Sequence, residues 1–160
     1  MHPLLFLMFM AVINVGVCQP ECCFDDWIDH DGYCFGYGGS AVSWGEAHAI
    51  CQSQGYTLAE ASNYRFNKFF AWLATNKSAN CVWLGGSDIF QEGYWEWSSS
   101  HQNFKFTDWR NREPNNGKND EDCLYIERPF NRGWNDGNCN NKCSFICAAP
   151  YQILPTSSPS

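Results

Sequence analysis

Ten cysteines in a chain of 160 residues, behind an apolar leader, constrain this sequence more than any other feature. Residues 4–17 form a nearly continuous apolar run, broken by Asn14. That length is short for a bilayer span and suits the core of an export signal. The expectation is a signal peptide over residues 1–18, cleaved near Cys18–Gln19, although no Lys or Arg precedes the run. A buried N-terminal helix is the competing reading. No later stretch is apolar enough to cross a membrane, so the expected product is secreted and extracellular, without membrane insertion. Export places cysteines in an oxidising compartment, where they form a disulfide framework. Loss of Cys18 leaves an odd number, so at least one is free or bonded to another chain. A zinc site at Cys139, Cys143 and Cys147 competes with disulfides there, but no His lies nearby.

The length suits one domain, expected over residues 19–150, followed by a Pro/Ser-rich disordered tail over 151–160. A formal charge of −7 argues against nucleic acid and anionic membrane surfaces and leaves cations open as partners. Asp31-Gly32 is a hairpin signal. Trp44, Ala47, His48 and Cys51 fall at helical spacing in residues 43–54. A second helix follows Ser62 or Asn63 as cap, with Phe66, Phe69, Phe70 and Leu73 on one face. Residues 81–86 and 94–97 read as strands, as do Tyr125-Ile126 and Phe145-Ile146-Cys147. Residues 101–133 show little periodicity and are rich in Asn, Asp, Glu, Gly and Pro, and a loop of that length tends to be functional. Asn76-Lys77-Ser78 is an N-glycosylation sequon.

The chemistry concentrates in Glu113-Pro114-Asn115-Asn116-Gly117-Lys118-Asn119-Asp120-Glu121-Asp122-Cys123, with Trp134-Asn135-Asp136 shortly after. Calcium takes six to eight oxygen ligands from carboxylates, amides and backbone, and this stretch offers those groups with no soft ligand interleaved. Adjacent Asp120, Glu121 and Asp122 repel one another unless a cation or solvent compensates. By composition alone a solvated acidic loop is the readier explanation.

Taken in order, Trp83-Leu84-Gly85-Gly86, Glu113-Pro114-Asn115, Glu121-Asp122-Cys123, Trp134-Asn135-Asp136 and Phe145-Ile146-Cys147 resemble the motifs of the C-type lectin-like family. The resemblance covers nearly all of the mature chain. It implies an α+β fold with two helices, two small antiparallel sheets and a long calcium-binding loop region. It implies a principal Ca2+ site at Glu113, Asn115, Glu121, Asn135 and Asp136, with a proline, Pro114, whose preceding bond is usually cis. An auxiliary Ca2+ site would use Asp88, Glu92, Asn116 and Asp122, with Asn116 standing where an Asp is common. The implied core disulfides are Cys51–Cys147 and Cys123–Cys139, with Cys23–Cys34 closing an N-terminal hairpin. Cys81 with Cys143, and Cys22 between two chains of a homodimer, are guesses for the remainder, since connectivity does not follow from sequence.

The resemblance further implies a lectin whose carbohydrate sits directly on calcium, two vicinal hydroxyls completing its coordination. Carboxylates of Glu113 or Glu121 would accept from the hydroxyls, and amides of Asn115 or Asn135 would donate to them. The Glu-Pro-Asn form goes with mannose, glucose, N-acetylglucosamine and fucose, and the Gln-Pro-Asp form associated with galactose is absent. The expected partners are mannose-type glycans, including those of microbial surfaces in innate immunity. Two rivals stand beside this. The same fold serves matrix, mineral-associated and protein-binding proteins. An enzyme is the other, but the chain has no His-Glu-x-x-His motif and no Gly-x-Ser-x-Gly elbow, and calcium would remove Glu113 and Glu121 from acid/base work.

Overall fold

The computed structural model describes residues 23, 26–130 and 133–150. The expected signal peptide, Cys18, Cys22 and the C-terminal tail lie outside them. Strands β1 (Ile28–His30) and β2 (Tyr33–Val42) form a hairpin. Its turn residues Asp31 and Gly32 both take positive φ, 50° and 82°, the conformation that Asp-Gly tolerates in a two-residue turn. Helix α1 (Trp44–Ser53) begins on a capping box. The Ser43 hydroxyl accepts from the Glu46 N–H at 3.3 Å, and the Glu46 carboxylate accepts from the Ser43 N–H at 2.7 Å. Helix α2 (Tyr64–Asn76) is capped by Asn63, whose Oδ1 accepts from the N–H groups of Arg65 and Phe66. Phe69, Phe70 and Leu73 are buried on its inner face, while Phe66 is half-buried.

The remaining strands are β3 (Thr57–Leu58), β4 (Cys81–Ser87), β5 (Glu96–Trp97), β6 (Cys123–Glu127), β7 (Trp134–Gly137) and β8 (Cys143–Pro150). They run in the order β1-β2-β8-β4-β6-β7, with β3 on β8 and β5 on β4. Each half is antiparallel, but β4 and β8 join in parallel through Val82↔Ser144 and Trp83↔Phe145. The two small antiparallel sheets expected from the sequence are therefore one mixed sheet. Two residue pairs suffice to connect them, too few to leave a sequence signal.

Strand β4 divides the core. Successive side chains point to opposite faces of a strand. Val82 and Leu84 pack with Phe70, Leu73 and Trp134, while Trp83 packs with Trp44, Cys51 and Leu58. Burial on both faces explains its unbroken apolar run. Disulfides fasten this frame: Cys51–Cys147 ties α1 to β8, Cys81–Cys143 ties β4 to β8, Cys123–Cys139 closes the β6–β7 hairpin, and Cys23–Cys34 holds the start of the described chain to β2.

The long aperiodic stretch is not free loop. Phe104, Phe106 and Trp109 pack edge-on against Trp134 at centroid distances of 5.5, 5.7 and 5.5 Å. Trp134 has no solvent exposure. Its Nε1–H donates to Asn67 Oδ1 at 2.6 Å, and Asn67 Nδ2 donates to Asp108 Oδ2 at 2.6 Å. The Trp134 N–H donates to the Asp108 carbonyl at 2.7 Å, and the Arg110 N–H to the Trp134 carbonyl at 2.9 Å. Gly133 permits this approach: at φ 97° it lies where a Cβ would fall 2.4 Å from the Asp108 carbonyl. Trp134→Ala is expected to lower stability by about 3–5 kcal/mol in chemical denaturation, since it removes both a core ring and the anchor of the loop. An unchanged midpoint would mean that the loop is anchored elsewhere.

Candidate functional site

Strand β7 delivers Asn135 and Asp136 directly after the Trp134 anchor, paired in register with Tyr125 and Leu124 of β6. Asp136 is fully buried and Asn135 nearly so. Across from them the chain turns through a cis Glu113–Pro114 bond. The N–H groups of Asn115 and Asn116 donate to Asp136 Oδ2 at 2.9 and 2.6 Å. Asp136 Oδ1 is buried with no hydrogen-bond partner. An unsatisfied buried acceptor costs about 1–3 kcal/mol, more when charged, so this oxygen calls for a cation or a donor.

Glu113 is close by, its side chain 8% exposed, and it accepts from Asn115 Nδ2. Burial pushes its carboxyl up from the ordinary value; Asp136 adds to the push and Arg110 opposes it. Glu121 reaches in from the other side, accepting from the Gly117 N–H at 2.8 Å. A Cβ on Gly117 would meet Glu121 Oε2 at 2.7 Å and Asn115 Oδ1 at 3.1 Å, so both oxygens converge on that glycine. Glycine keeps their common space open. The structure thus brings together Glu113, Asn115 and Asp136 by direct contacts, with Glu121 across Gly117 and Asn135 at the back.

Arg110 was not singled out by the sequence. Its Nη2 donates to Asn135 Oδ1 at 2.5 Å and to Glu113 Oε1 at 3.3 Å, and its Nη1 to Glu127. It is an internal cation placed between two of the candidate ligands. Its position three residues before Glu113 was visible, but its reach to Asn135 and Glu127 was not. Asn135 also differs from expectation. Its Nδ2 donates to the Tyr125 hydroxyl and to the Asp136 carbonyl, both at 2.6 Å. Both amide protons are thereby used inside the protein, whereas the exposed Asn115 amide makes one hydrogen bond, to Glu113.

The second group lies next to the first. Asp88 is 2% exposed; its Oδ2 accepts from the Gly93 N–H at 2.8 Å, and its Oδ1 has no partner. Burial pushes the Asp88 carboxyl up to about 6, with the charges of Glu92 and Asp122 adding and the Gly93 N–H opposing. Asn116 links the two groups. Its Nδ2 donates to Glu92, and its Oδ1 accepts from the Glu121 N–H at 3.2 Å. Asn76 of the sequon is the exposed last residue of α2, its Nδ2 donating to the Trp72 carbonyl at 2.8 Å.

These donors fit a hard divalent cation. They are all oxygens, and each group holds one buried carboxylate oxygen without a partner. Among the described residues no three His, Cys, Asp or Glu side chains form a metal cluster on their own. Asn115 and Asn135 add amide oxygens beside the first set, that of Asn135 accepting from Arg110.

The chain matches the family described as "Lectin C-type domain" over residues 40–149. It is 33% identical over 152 residues to "Lectin BRA-3" of Megabalanus rosa, covering 91% of each chain. It is 29% identical over 154 residues to "Galactose-specific lectin nattectin" of Thalassophryne nattereri, covering 92% of this chain and 95% of that one. Among solved structures it resembles a "Ca2+-dependent type II antifreeze protein (Ca2+-free form)" with a TM-score of 0.71 and 29% identity, covering 79% of this chain and 99% of that one.

The raised Asp88 carboxyl sets a pH signature for the metal-free protein. The folded state binds this proton more tightly than the unfolded chain does. Ionisation therefore opposes folding as pH rises through about 6, and that opposition is absent below the ordinary carboxylate value. In EDTA, Asp88→Asn is expected to raise the thermal midpoint at about pH 7.5 and to change it little at about pH 4. A lower midpoint at the higher pH would contradict the burial account.

Proposed function

The chain belongs to the C-type lectin domain family, and we propose that it is a secreted, calcium-dependent lectin that binds mannose-type sugars directly on its principal calcium site. The observation that carries this reading is Asp136: a fully buried carboxylate, held by two backbone N–H groups through one oxygen and left unpartnered at the other, beside Glu113 and Asn115. Calcium, when bound, supplies a divalent centre with positions left for two vicinal hydroxyls. Glu113, Asn115, Glu121, Asn135 and Asp136 would hold it. Asp88, Glu92, Asn116 and Asp122 would hold an auxiliary ion and brace the loop through Asn116.

The protein side of recognition follows from the donors. Asn115 is exposed, and its amide, with one hydrogen bond to Glu113, has a second N–H to offer; Glu113 and Glu121 present carboxylate acceptors. Charge-assisted hydrogen bonds of this kind are the strong ones. The acid-then-amide order of Glu113 and Asn115 supports equatorial 3- and 4-hydroxyls, as in mannose, over the galactose arrangement. One exposed sugar buries little area, so single-site affinity is expected near ~1 mM, about −4 kcal/mol. A homodimer linked through Cys22 would raise avidity by about 10²-fold without new contacts. The role proposed is recognition or agglutination of microbial surface glycans by the domain at residues 19–150, released from a signal at 1–18 and trailed by a disordered tail at 151–160.

A second reading has one observation in its favour, the likeness to a calcium-dependent antifreeze protein. In that reading the calcium-bearing surface meets a matrix, mineral or protein partner.

The test is retention of the protein on mannose and galactose matrices in calcium, followed by EDTA. Retention on mannose, released by EDTA, is expected. Absence from both matrices, with calcium binding measured separately, would favour the second reading. The double variant Glu113→Gln, Asn115→Asp is expected to move retention from mannose to galactose. Acid should also release the sugar, because the ligands must be deprotonated. Retention unchanged at about pH 4 would contradict calcium bridging.

A further inference from the structure

Beside the candidate sugar site lies a recess of about 330 Å³ that the calcium ligands do not use. That volume is at the small end of the range for ligand sites. Its wall includes Tyr94, Trp95, Asn103, Thr107, Trp109 and Pro114. Pro114 also stands between Glu113 and Asn115, so recess and calcium site share one residue as their boundary. We infer that this recess is a second subsite, which holds the neighbouring ring of an oligosaccharide whose first sugar sits on calcium. The inference rests on the reading that calcium holds that first sugar.

The lining has the chemistry a pyranose needs. A sugar ring has an apolar C–H face and a polar hydroxyl rim. Aromatic rings match the first and short polar side chains the second. Tyr94 is 61% exposed, so its ring is open to stacking. Asn103 and Thr107 are exposed at the rim. The back wall is rigid: Trp95 and Trp109 meet edge to face at 4.7 Å, and Trp109 continues onto Trp134 at 5.5 Å. The same aromatic cluster that anchors the calcium loop thus fixes the recess relative to it.

The rim decides between a sugar and an apolar ligand. Asn103 and Thr107 are exposed polar side chains at the recess. An alkyl chain would displace water from both and return no hydrogen bond, whereas hydroxyls would replace that water, which favours a sugar over an apolar aglycone.

The experiment measures the affinity of the full chain, in calcium, for methyl α-mannoside, for mannose disaccharides of different linkage and for octyl α-mannoside. Wild type, Tyr94→Ala and Tyr94→Phe are compared. At least one disaccharide should bind roughly 5-fold tighter than methyl α-mannoside, the size of one stacking contact. Tyr94→Ala should erase that advantage and leave methyl α-mannoside binding unchanged. Tyr94→Phe should keep it, since stacking does not need the hydroxyl. Equal affinity for mono- and disaccharides in wild type, or an advantage that survives Tyr94→Ala, would overturn the subsite. A gain for octyl α-mannoside alone would also overturn it and assign the recess to an apolar aglycone. The two readings fail separately. Loss of all sugar binding sinks calcium bridging and the subsite with it. Binding of methyl α-mannoside without a disaccharide gain sinks the subsite alone.

Discussion

Trp134 is the point on which the loop region depends. Its ring closes the core between α2 and the aromatics of the long loop, and its indole N–H reaches Asn67 and, through it, Asp108. Its backbone pairs with Asp108 and Arg110 on the incoming segment of that loop. The two residues after it are Asn135 and Asp136. A side chain without solvent exposure thus sets the position of two candidate ligands, and its backbone partners set where the chain enters the turn that presents Glu113 and Asn115. Irregular backbone carries function well when a packed frame holds it. Here the frame is one indole ring, four disulfides among the described residues and a strand buried on both faces.

The site stores an electrostatic conflict that binding can relieve. Asp136 and Asp88 are carboxylates taken out of water, each with one oxygen satisfied by backbone N–H groups and one left over. Burial raises the carboxyls of Asp88 and Glu113. In a hydrophobic site the same groups would have been replaced by apolar ones, since uncompensated buried charge is costly. Arg110 relieves part of the conflict from within by meeting Glu113, Asn135 and Glu127. Its charge lies on the Glu113–Asn135 side, while the unpartnered oxygen belongs to Asp136. Arg110 thus holds Glu113 and Asn135 in place and leaves the second Asp136 oxygen to the cation proposed for this site.

What could be read in advance follows how local each signal is. The start of the first helix, the cap of the second and the Asp31-Gly32 turn are decided within a few residues; the structure caps α1 with Ser43, chooses Asn63 over Ser62 for α2, and forms the turn. The fold came through the resemblance carried by motifs in order, from Trp83-Leu84-Gly85-Gly86 to Phe145-Ile146-Cys147. Long-range effects were hidden. Strand β5 is shorter than the run from Tyr94 to Trp97 suggests, because Trp95 turns into the loop cluster and Tyr94 faces solvent. The polar residues Asn67, Asn135 and Asp136 are buried against hydropathy, each held by partners far away in the chain. The role of Arg110 needs the cis turn and strand β6 in place before it can be seen. The amide of Asn135 could be named as a ligand from its motif, yet its use by Tyr125 could not.

The central claim is that cation and sugar share one site. Calorimetric titration of calcium at increasing fixed concentrations of methyl α-mannoside tests it most directly, because linked sites must strengthen each other by the same factor. The account predicts that calcium binds progressively tighter as the sugar concentration rises, and that the sugar shows no binding in EDTA. A calcium affinity that ignores the sugar, together with sugar binding that survives EDTA, would contradict it.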